Sequence, residues 1–573
     1  MRRWRIALLS VALVLAGCAG IPDSSVPVVV GPAPTGARAG QDPGLGIQPG
    51  GPVKGSSSDQ IVRDFFKALT AADAEFKVAR EYLTPDEAKS WRPGGGVNVV
   101  GTAWGAQPGA KDGTVNFTAD RVAQIDDAGG YSTDSGQLSY EFHLAKVNGE
   151  WRISNPPDTL WIDSTAFSQV YQPMSLYFAN PAGTQVVPDI RYYRETHEQL
   201  ANRLVKGLID GPSQTLAPAV RDEFEDPVAL RSGVKLGSDT VEVDLTGLKG
   251  KNDQQLGVLS AQLLWTLAQV NVSAVQISND GTPVDISGNG PVQTRADWAS
   301  FDPDLMPVNA TGYYLDGGAV FTDKAQPVAG PVGGGGYAVT DAAVSFNGTQ
   351  IATISGGVSP PVLHVGAITS ELPVIDLPGT TSLASPTWGG SDSEVWLVRN
   401  GSEIVQVGLK SAPVIIPASN LSDLGEVRSI AMSRDGARLA AIAAQAGEAP
   451  KLYLAPIVRG ADSVSVGQFT PLAANLEVSS VSWVDSRRLA ILARTSSTAA
   501  VQAHLLMIDD SDRETLSNTP TLASGEPPTA IAAAPERQVL IASGSTLLKY
   551  ADNSWVTLIA GRAVTGTRPF YPG

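Results

Sequence analysis

The chain has 573 residues and a formal charge of −16, with 43% hydrophobic and 17% charged residues. That acidic excess argues against nucleic acid or bare anionic headgroups as the natural partner. The length predicts about three or four domains, and 59 glycines and 40 prolines predict turn-rich, largely β architecture.

The first residues read Met1-Arg2-Arg3-Trp4-Arg5, an apolar run from Ile6 to Ala16, then Leu15-Ala16-Gly17-Cys18. A charged start, a short apolar stretch and small residues before a cleavage point predict a secretory signal over residues 1–17. The run is too short to span a bilayer, which takes about 20 residues. The cysteine directly after Leu-Ala-Gly resembles the lipobox of bacterial lipoproteins. That resemblance implies a diacylglyceryl group on the Cys18 thiol and cleavage just before it. Cys18 is the only cysteine, so no internal disulfide can form and the thiol is available as an anchor. Burying lipid contributes roughly 0.8 kcal/mol per CH₂, and two long chains give stable attachment. Cleavage would remove three arginines and no acidic residue, moving the formal charge from −16 to −19.

Residues 18–55 carry the cysteine and a Gly, Pro, Ser and Ala-rich stretch, including Gly31-Pro32-Ala33-Pro34-Thr35-Gly36. This predicts a disordered tether with a span on the order of 30–35 Å. Order is expected from about residue 56. Ser57-Ser58-Asp59-Gln60 reads as a capping box ahead of Ile61, Phe65 and Leu69, and Thr84-Pro85-Asp86-Glu87 as a second helix start. The period then changes to two: Leu138, Tyr140, Phe142 and Leu144 alternate with polar residues, and Asn148-Gly149 turns the chain into Trp151 and Ile153. Helices followed by a hairpin sheet predict a small α+β domain over 56–165. Its order resembles the NTF2-like cone fold.

A second α+β domain is expected over 174–292. Thr196-His197-Glu198-Gln199 caps a helix whose Leu200, Leu204 and Leu208 form a stripe ended by Gly211-Pro212. Val241, Val243 and Leu245 alternate as a half-buried strand. Leu256, Leu259, Leu263 and Leu267 form another stripe, followed by a strand at Val275–Ile277. Leu176-Tyr177-Phe178, Leu208 to Pro212 and Thr240 to Leu245 resemble the GerMN domain of exported envelope and sporulation proteins.

Residues 300–573 are repetitive. Anchors at Ile351, Val395, Leu439, Leu489 and Val539 recur every 44 to 50 residues, the spacing of one four-stranded β-propeller blade. A sixth unit is expected around Tyr313–Phe321, with the strand near Trp555–Ile559 closing the ring. A pair of β-sandwiches is the alternative.

Chemistry is sparse. The histidines His143, His197, His364 and His504 are far apart in sequence and match no zinc spacing. No nucleophile elbow, phosphate loop or dinucleotide fingerprint occurs. Asp509-Asp510-Ser511-Asp512 is acidic enough for a hard cation but lacks spaced ligands, so a solvated turn is preferred. Trp388, Trp396, Trp483 and Trp555 suit either saccharide stacking or propeller packing, and their place beside the anchors favours packing. The reading is therefore non-catalytic, with no cofactor or metal.

The order of lipobox, tether, NTF2-like domain, GerMN domain and propeller resembles the LpqB lipoproteins of actinobacteria over essentially the whole chain. The resemblance implies an accessory that contacts the extracytoplasmic domain of an MtrB-like sensor histidine kinase. Through the MtrAB system it would affect cell-wall homeostasis and division, from a lipid-anchored position on the outer face of the cell membrane. Two alternatives stand beside it: a binder of cell-wall polymer, peptidoglycan or glycan, and a propeller hydrolase using His364 and His504.

Overall fold

The computed structural model describes residues 49–71, 75–356, 360–521, 526–561, 563–564 and 567–573. Cys18 and the whole of the expected signal lie outside the described residues, as does the tether before Pro49.

The first helix, α1 (Ser58–Ala68), forms because Ile61, Val62, Phe65 and Phe66 recur at helical spacing and are buried together. The expected capping box does not form. Ser57 occupies the cap position, but its hydroxyl makes no capping bond, and Gln60 turns down the helix to Asp64 at 2.8 Å. After α2 (Lys77–Arg80) and α3 (Pro85–Ser90), five strands follow: β1 (Val97–Pro108), β2 (Thr114–Ile125), β3 (Tyr131–Val147), β4 (Glu150–Ile153) and β5 (Leu160–Asp163). They pair in the order β4-β3-β2-β1-β5, with β5 parallel to β1. Register shifts near Val99 to Trp104 in β1 and Arg121 to Ala123 in β2 bend this sheet. Phe117, Phe142 and Trp161 of the sheet share one core cluster with Phe65 and Phe66 of α1. Order begins before residue 56, since the Gly50 carbonyl accepts the Tyr82 hydroxyl at 2.7 Å.

Helix α4 (Ser164–Val170), capped by Asp163 through the Ala166 N–H at 2.9 Å, leads into the second domain. That domain contains the hairpin β6 (Gln172–Ala179) and β7 (Val186–Tyr193), then helix α5 (His197–Asp210). Its other elements are β8 (Ala229–Leu230), β9 (Lys235–Leu236), β10 (Thr240–Thr246), α6 (Asp253–Leu267), β11 (Ala274–Asn279), β12 (Thr282–Pro283) and β13 (Val292–Thr294). Strands β10 and β11 run parallel, joined by α6 as a crossover. Helix α5 buries the expected Leu200, Leu204 and Leu208. Helix α6 is more enclosed than a one-sided stripe, with Ser260, Gln262 and Thr266 buried besides its leucines. The reason is a second wall: the Thr266 hydroxyl accepts from the Tyr177 N–H at 3.0 Å, and Gln269 clips both the N–H and the carbonyl of Ser175. So α6 lies between the β6–β7 hairpin and the main sheet. Its start carries a true capping box, Asn252 with Gln255.

The remainder is a six-bladed propeller. Blades 2 to 6 begin with Val339–Val344, Leu383–Trp388, Glu426–Met432, Glu477–Asp485 and Pro528–Ala532, each the first strand of an antiparallel meander. Ile351, Val395, Leu439 and Leu489 are each the second residue of their blade's second strand, and Val539 falls one residue before Leu540–Ser543. Blade 1 pairs Tyr313–Asp316 with Ala319–Thr322. The ring is closed by Pro569–Phe570, which pairs with Tyr313 and Tyr314, and not by the stretch near Trp555. Trp555 belongs to Ser554–Thr557, the last strand of blade 6.

First strands of neighbouring blades are stapled by side chains. Trp388 Nε1 donates to the Ala343 carbonyl at 2.9 Å, Met432 N to Thr387 Oγ1 at 3.1 Å, and Trp483 Nε1 to the Ala431 carbonyl at 3.0 Å. Ser482 Oγ accepts from the Ala533 N–H at 3.0 Å. Across the closure, Arg568 Nη1 sits 2.9 Å from Asp341 Oδ2, which also accepts from the Ser385 N–H. Burial pushes the Asp341 carboxyl up, against the pull of Arg568 and of the Ser385 and Ala342 N–H groups. The substitution Arg568→Met should therefore leave a buried carboxylate on backbone donors alone, costing about 1–3 kcal/mol and lowering the thermal midpoint. An unchanged melting curve would show that this ion pair does not secure the ring.

Candidate functional site

The residues singled out by sequence are dispersed. His143 is exposed, 3.3 Å from Glu141. His197 opens α5 in left-handed backbone, φ 53°. His364, in the third strand of blade 2, faces the Leu372 carbonyl at 3.4 Å and the Tyr337 ring at 4.7 Å. His504, in the third strand of blade 5, lies 3.0 Å from Thr515 Oγ1; burial first, then Arg513, lowers it to about 4. Blades 2 and 5 are not neighbours, so the two propeller histidines do not form a pair. Among the described residues no group of three or more metal-type side chains converges. Trp388, Trp396 and Trp483 are buried, and Trp555 packs on Tyr550 at 5.0 Å; these tryptophans are propeller packing.

The acidic turn has a different role from the solvated one expected. Asp509 is half-buried, its Oδ1 accepting the N–H and hydroxyl of Ser511, while Asp510 Oδ2 accepts the Ala473 N–H at 3.2 Å. Against this turn pack Tyr131 of the first domain and Tyr192 of the second. Burial, then Asp509 and Asp510, pushes the Tyr131 hydroxyl up to about 12, and burial beside Asp509 raises Tyr192 further. Tyr131 and Tyr192 lie 5.5 Å apart, and Phe167 of α4 lies 6.2 Å from the first and 5.3 Å from the second. Val97 and Ile125, Ile190, and Leu472 and Ile508 complete an apolar cluster drawn from all three domains.

Polar contacts flank this joint. The turn between β2 and β3 rests on β7: Tyr192 N donates to the Gly129 carbonyl at 2.7 Å, and Arg203 Nη2 to the Asp127 carbonyl at 2.6 Å. Gly129 has φ 90°, and a Cβ there would stand 3.0 Å from the Tyr192 carbonyl oxygen, so only glycine permits the approach. On the propeller side, Arg438 Nη2 donates to the Pro188 carbonyl at 2.6 Å and Asn180 Nδ2 to the Asp435 carbonyl at 3.4 Å. Farther along, Asp304 accepts the Ser486 N–H at 2.6 Å and its hydroxyl at 3.2 Å.

Beside the Gly129 contact, a cleft of about 680 Å³ opens between the first two domains. Asn98, Gln124 and Thr159 line one wall; Arg191, Ser213 and Thr215 line the other. Arg191 is 3% exposed and paired with Asp189 at 2.8 Å.

Sequence comparison accounts for all three domains. Residues 51–168 match the lipoprotein LpqB N-terminal domain, 175–285 a domain described as sporulation and spore germination, and 319–572 the lipoprotein LpqB beta-propeller domain. Lipoprotein LpqB of Rhodococcus opacus is 30% identical over 528 residues, covering 86% of this chain and 85% of the relative. The chain belongs to the LpqB lipoprotein family. The LpqB of Rhodococcus jostii is 31% identical over 76% of each chain, and that of Mycobacterium leprae 28% identical over 99% of this chain and 98% of the relative. Among the described residues of this LpqB-family chain, no helix is long and apolar enough to cross a membrane.

Sequence reasoning missed Tyr131, Tyr192 and Asp304, because nothing local marks a residue whose partner lies hundreds of positions away. Burial, with Asp485 second, pushes Asp304 up to about 7. Freed from the seam it would titrate near 4, so its contribution to the closed seam is complete below about pH 4 and is lost as pH rises through about 7. Hydrogen exchange at residues 300–306 and 484–488 should accordingly quicken between pH 5 and 8, after correction for intrinsic rates, and Asp304→Asn should remove that dependence. Identical pH profiles for the two proteins would contradict it.

Proposed function

We propose that this LpqB-family protein is exported, acylated at Cys18 and held on the outer face of the cell membrane, where it serves as a non-catalytic accessory of a two-component sensor. The partner proposed is the extracytoplasmic domain of an MtrB-like histidine kinase, with cell-wall homeostasis and division as the processes affected. The observation that carries the reading is the joint at Tyr131, Phe167, Tyr192 and Asp509, which ties three domains into one surface. A jointed body presents a fixed arrangement of contacts to a partner, whereas independently tumbling domains would lose entropy on binding. The mechanism is population shift: the protein favours whichever sensor state it binds better, and about tenfold differential affinity moves the equilibrium by 1.4 kcal/mol. The leader sequence supports the location, since a lipid-modified Cys18 followed by a long Gly and Pro-rich segment places the body outside, clear of the headgroups.

Mass analysis of the natural protein should find a diacylglyceryl group on residue 18, and Cys18→Ser should release the body from membranes. The anchored protein should capture the sensor's exported domain at native membrane density. An unacylated residue 18, or consistently negative capture, would remove this reading.

A further inference from the structure

The cleft between the first two domains has a volume within the ~300–1,000 Å³ of small-ligand sites. Its floor is apolar, with Val97, Ile125 and Leu176 buried beneath it. The charged groups at its edge are already engaged within the protein. Arg191 is held by Asp189 at 2.8 Å and reaches the Ala128 carbonyl at 3.4 Å. Arg203 donates to the Asp127 carbonyl and lies over the Tyr193 ring, 5.5 Å from its centre. The Asp126 carboxylate accepts the Gly130 N–H at 2.7 Å, and Asp210 takes Lys206 at 2.6 Å. An ionic ligand entering here would therefore lose hydration without gaining a dedicated counter-charge.

What the walls offer instead is amides and hydroxyls around an apolar floor: Gln124, Ser132 and Thr159 on one side, Ser213, Gln214 and Thr215 on the other. Ser132, Gln214 and Thr215 are exposed. Asn98, 8% exposed, is fixed between Thr159 Oγ1 at 3.1 Å and Gln124 Nε2 at 3.2 Å, so the first wall is pre-arranged. Apolar side chains at the base with donors and acceptors around them match a pyranose, which has C–H faces and a girdle of hydroxyls.

We propose that this cleft is a binding site for a neutral oligosaccharide, gripped between the first domain and the GerMN domain. The site turns the polymer-binding alternative into a property of named residues, and it stands independently of any sensor contact. Ligand binding would draw on both walls at once, so occupancy reinforces the Gly129–Tyr192 contact at the cleft's edge.

The test is calorimetric titration of the mature chain with chitotriose and cellotriose, together with Ser132→Trp and Thr215→Trp, two exposed positions where an indole would fill the opening. Binding of either sugar, weakened about tenfold or more by each substitution with unchanged melting, is the expected result. Absence of binding by both sugars, or equal binding by wild type and both variants, would overturn the proposal. So would a neutral tripeptide that binds at this cleft when the sugars do not. Because no sensor is present, failure here is separable from failure of the signalling reading.

Discussion

The arrangement of this protein depends on one contact, the meeting of Tyr131, Phe167 and Tyr192 over the Asp509 turn of the propeller. Domains joined by linkers move independently unless a large apolar interface holds them, and here the apolar cluster draws side chains from every domain. Aromatic pairs add about 0.5–1.5 kcal/mol each beyond the area they bury. Ser511 holds only one oxygen of the Asp509 carboxylate; the other is enclosed with no partner, and burial accordingly raises this group's pKa toward its neutral form. The cleft and the Gly129 approach lie beside this contact, where Tyr192 N and Arg203 also bind the turn between β2 and β3.

The propeller provides the base for that joint. A blade cannot bury both faces alone, so its stability is a property of the closed ring. Strand pairing at the closure comes from Pro569 and Phe570, with stacking of Phe570 on Tyr313 at 5.5 Å and the Arg568–Asp341 ion pair beside it. Between other blades the staples recur from one first strand to the next, at Asp341, Thr387 and Ser482 as hydrogen-bond acceptors and at Trp388 and Trp483 as donors. The buried tryptophans therefore serve cohesion between blades, and stacking on a ligand is left to other surfaces.

Sequence made local features readable. The leucines of α5, the alternation through Phe142 and Leu144, and the blade anchors each occupy the expected element, because burial imposes a short period on them. Cap chemistry is less legible: Ser57 and Thr196 sit at cap positions without side-chain capping bonds, while the working box pairs Asn252 with Gln255, outside the Ser/Thr-Glu pattern. The closing strand, Pro569–Phe570, lies beyond the expected stretch near Trp555, because two residues, one of them proline, carry no alternation to detect. The acidic turn at Asp509–Asp512 was readable as a turn, but its burial under two tyrosines depends on pairings across more than 300 residues. The cleft escaped for the same reason, because its walls come from two domains.

Differential scanning calorimetry of the mature chain and of Phe167→Ala tests the joint most directly. If the three domains are held as one body, the wild type should unfold in a single dominant transition, which the substitution splits into separate, lower-temperature steps as the joint loosens. Resolved independent transitions in the wild type, unchanged by Phe167→Ala, would contradict the account.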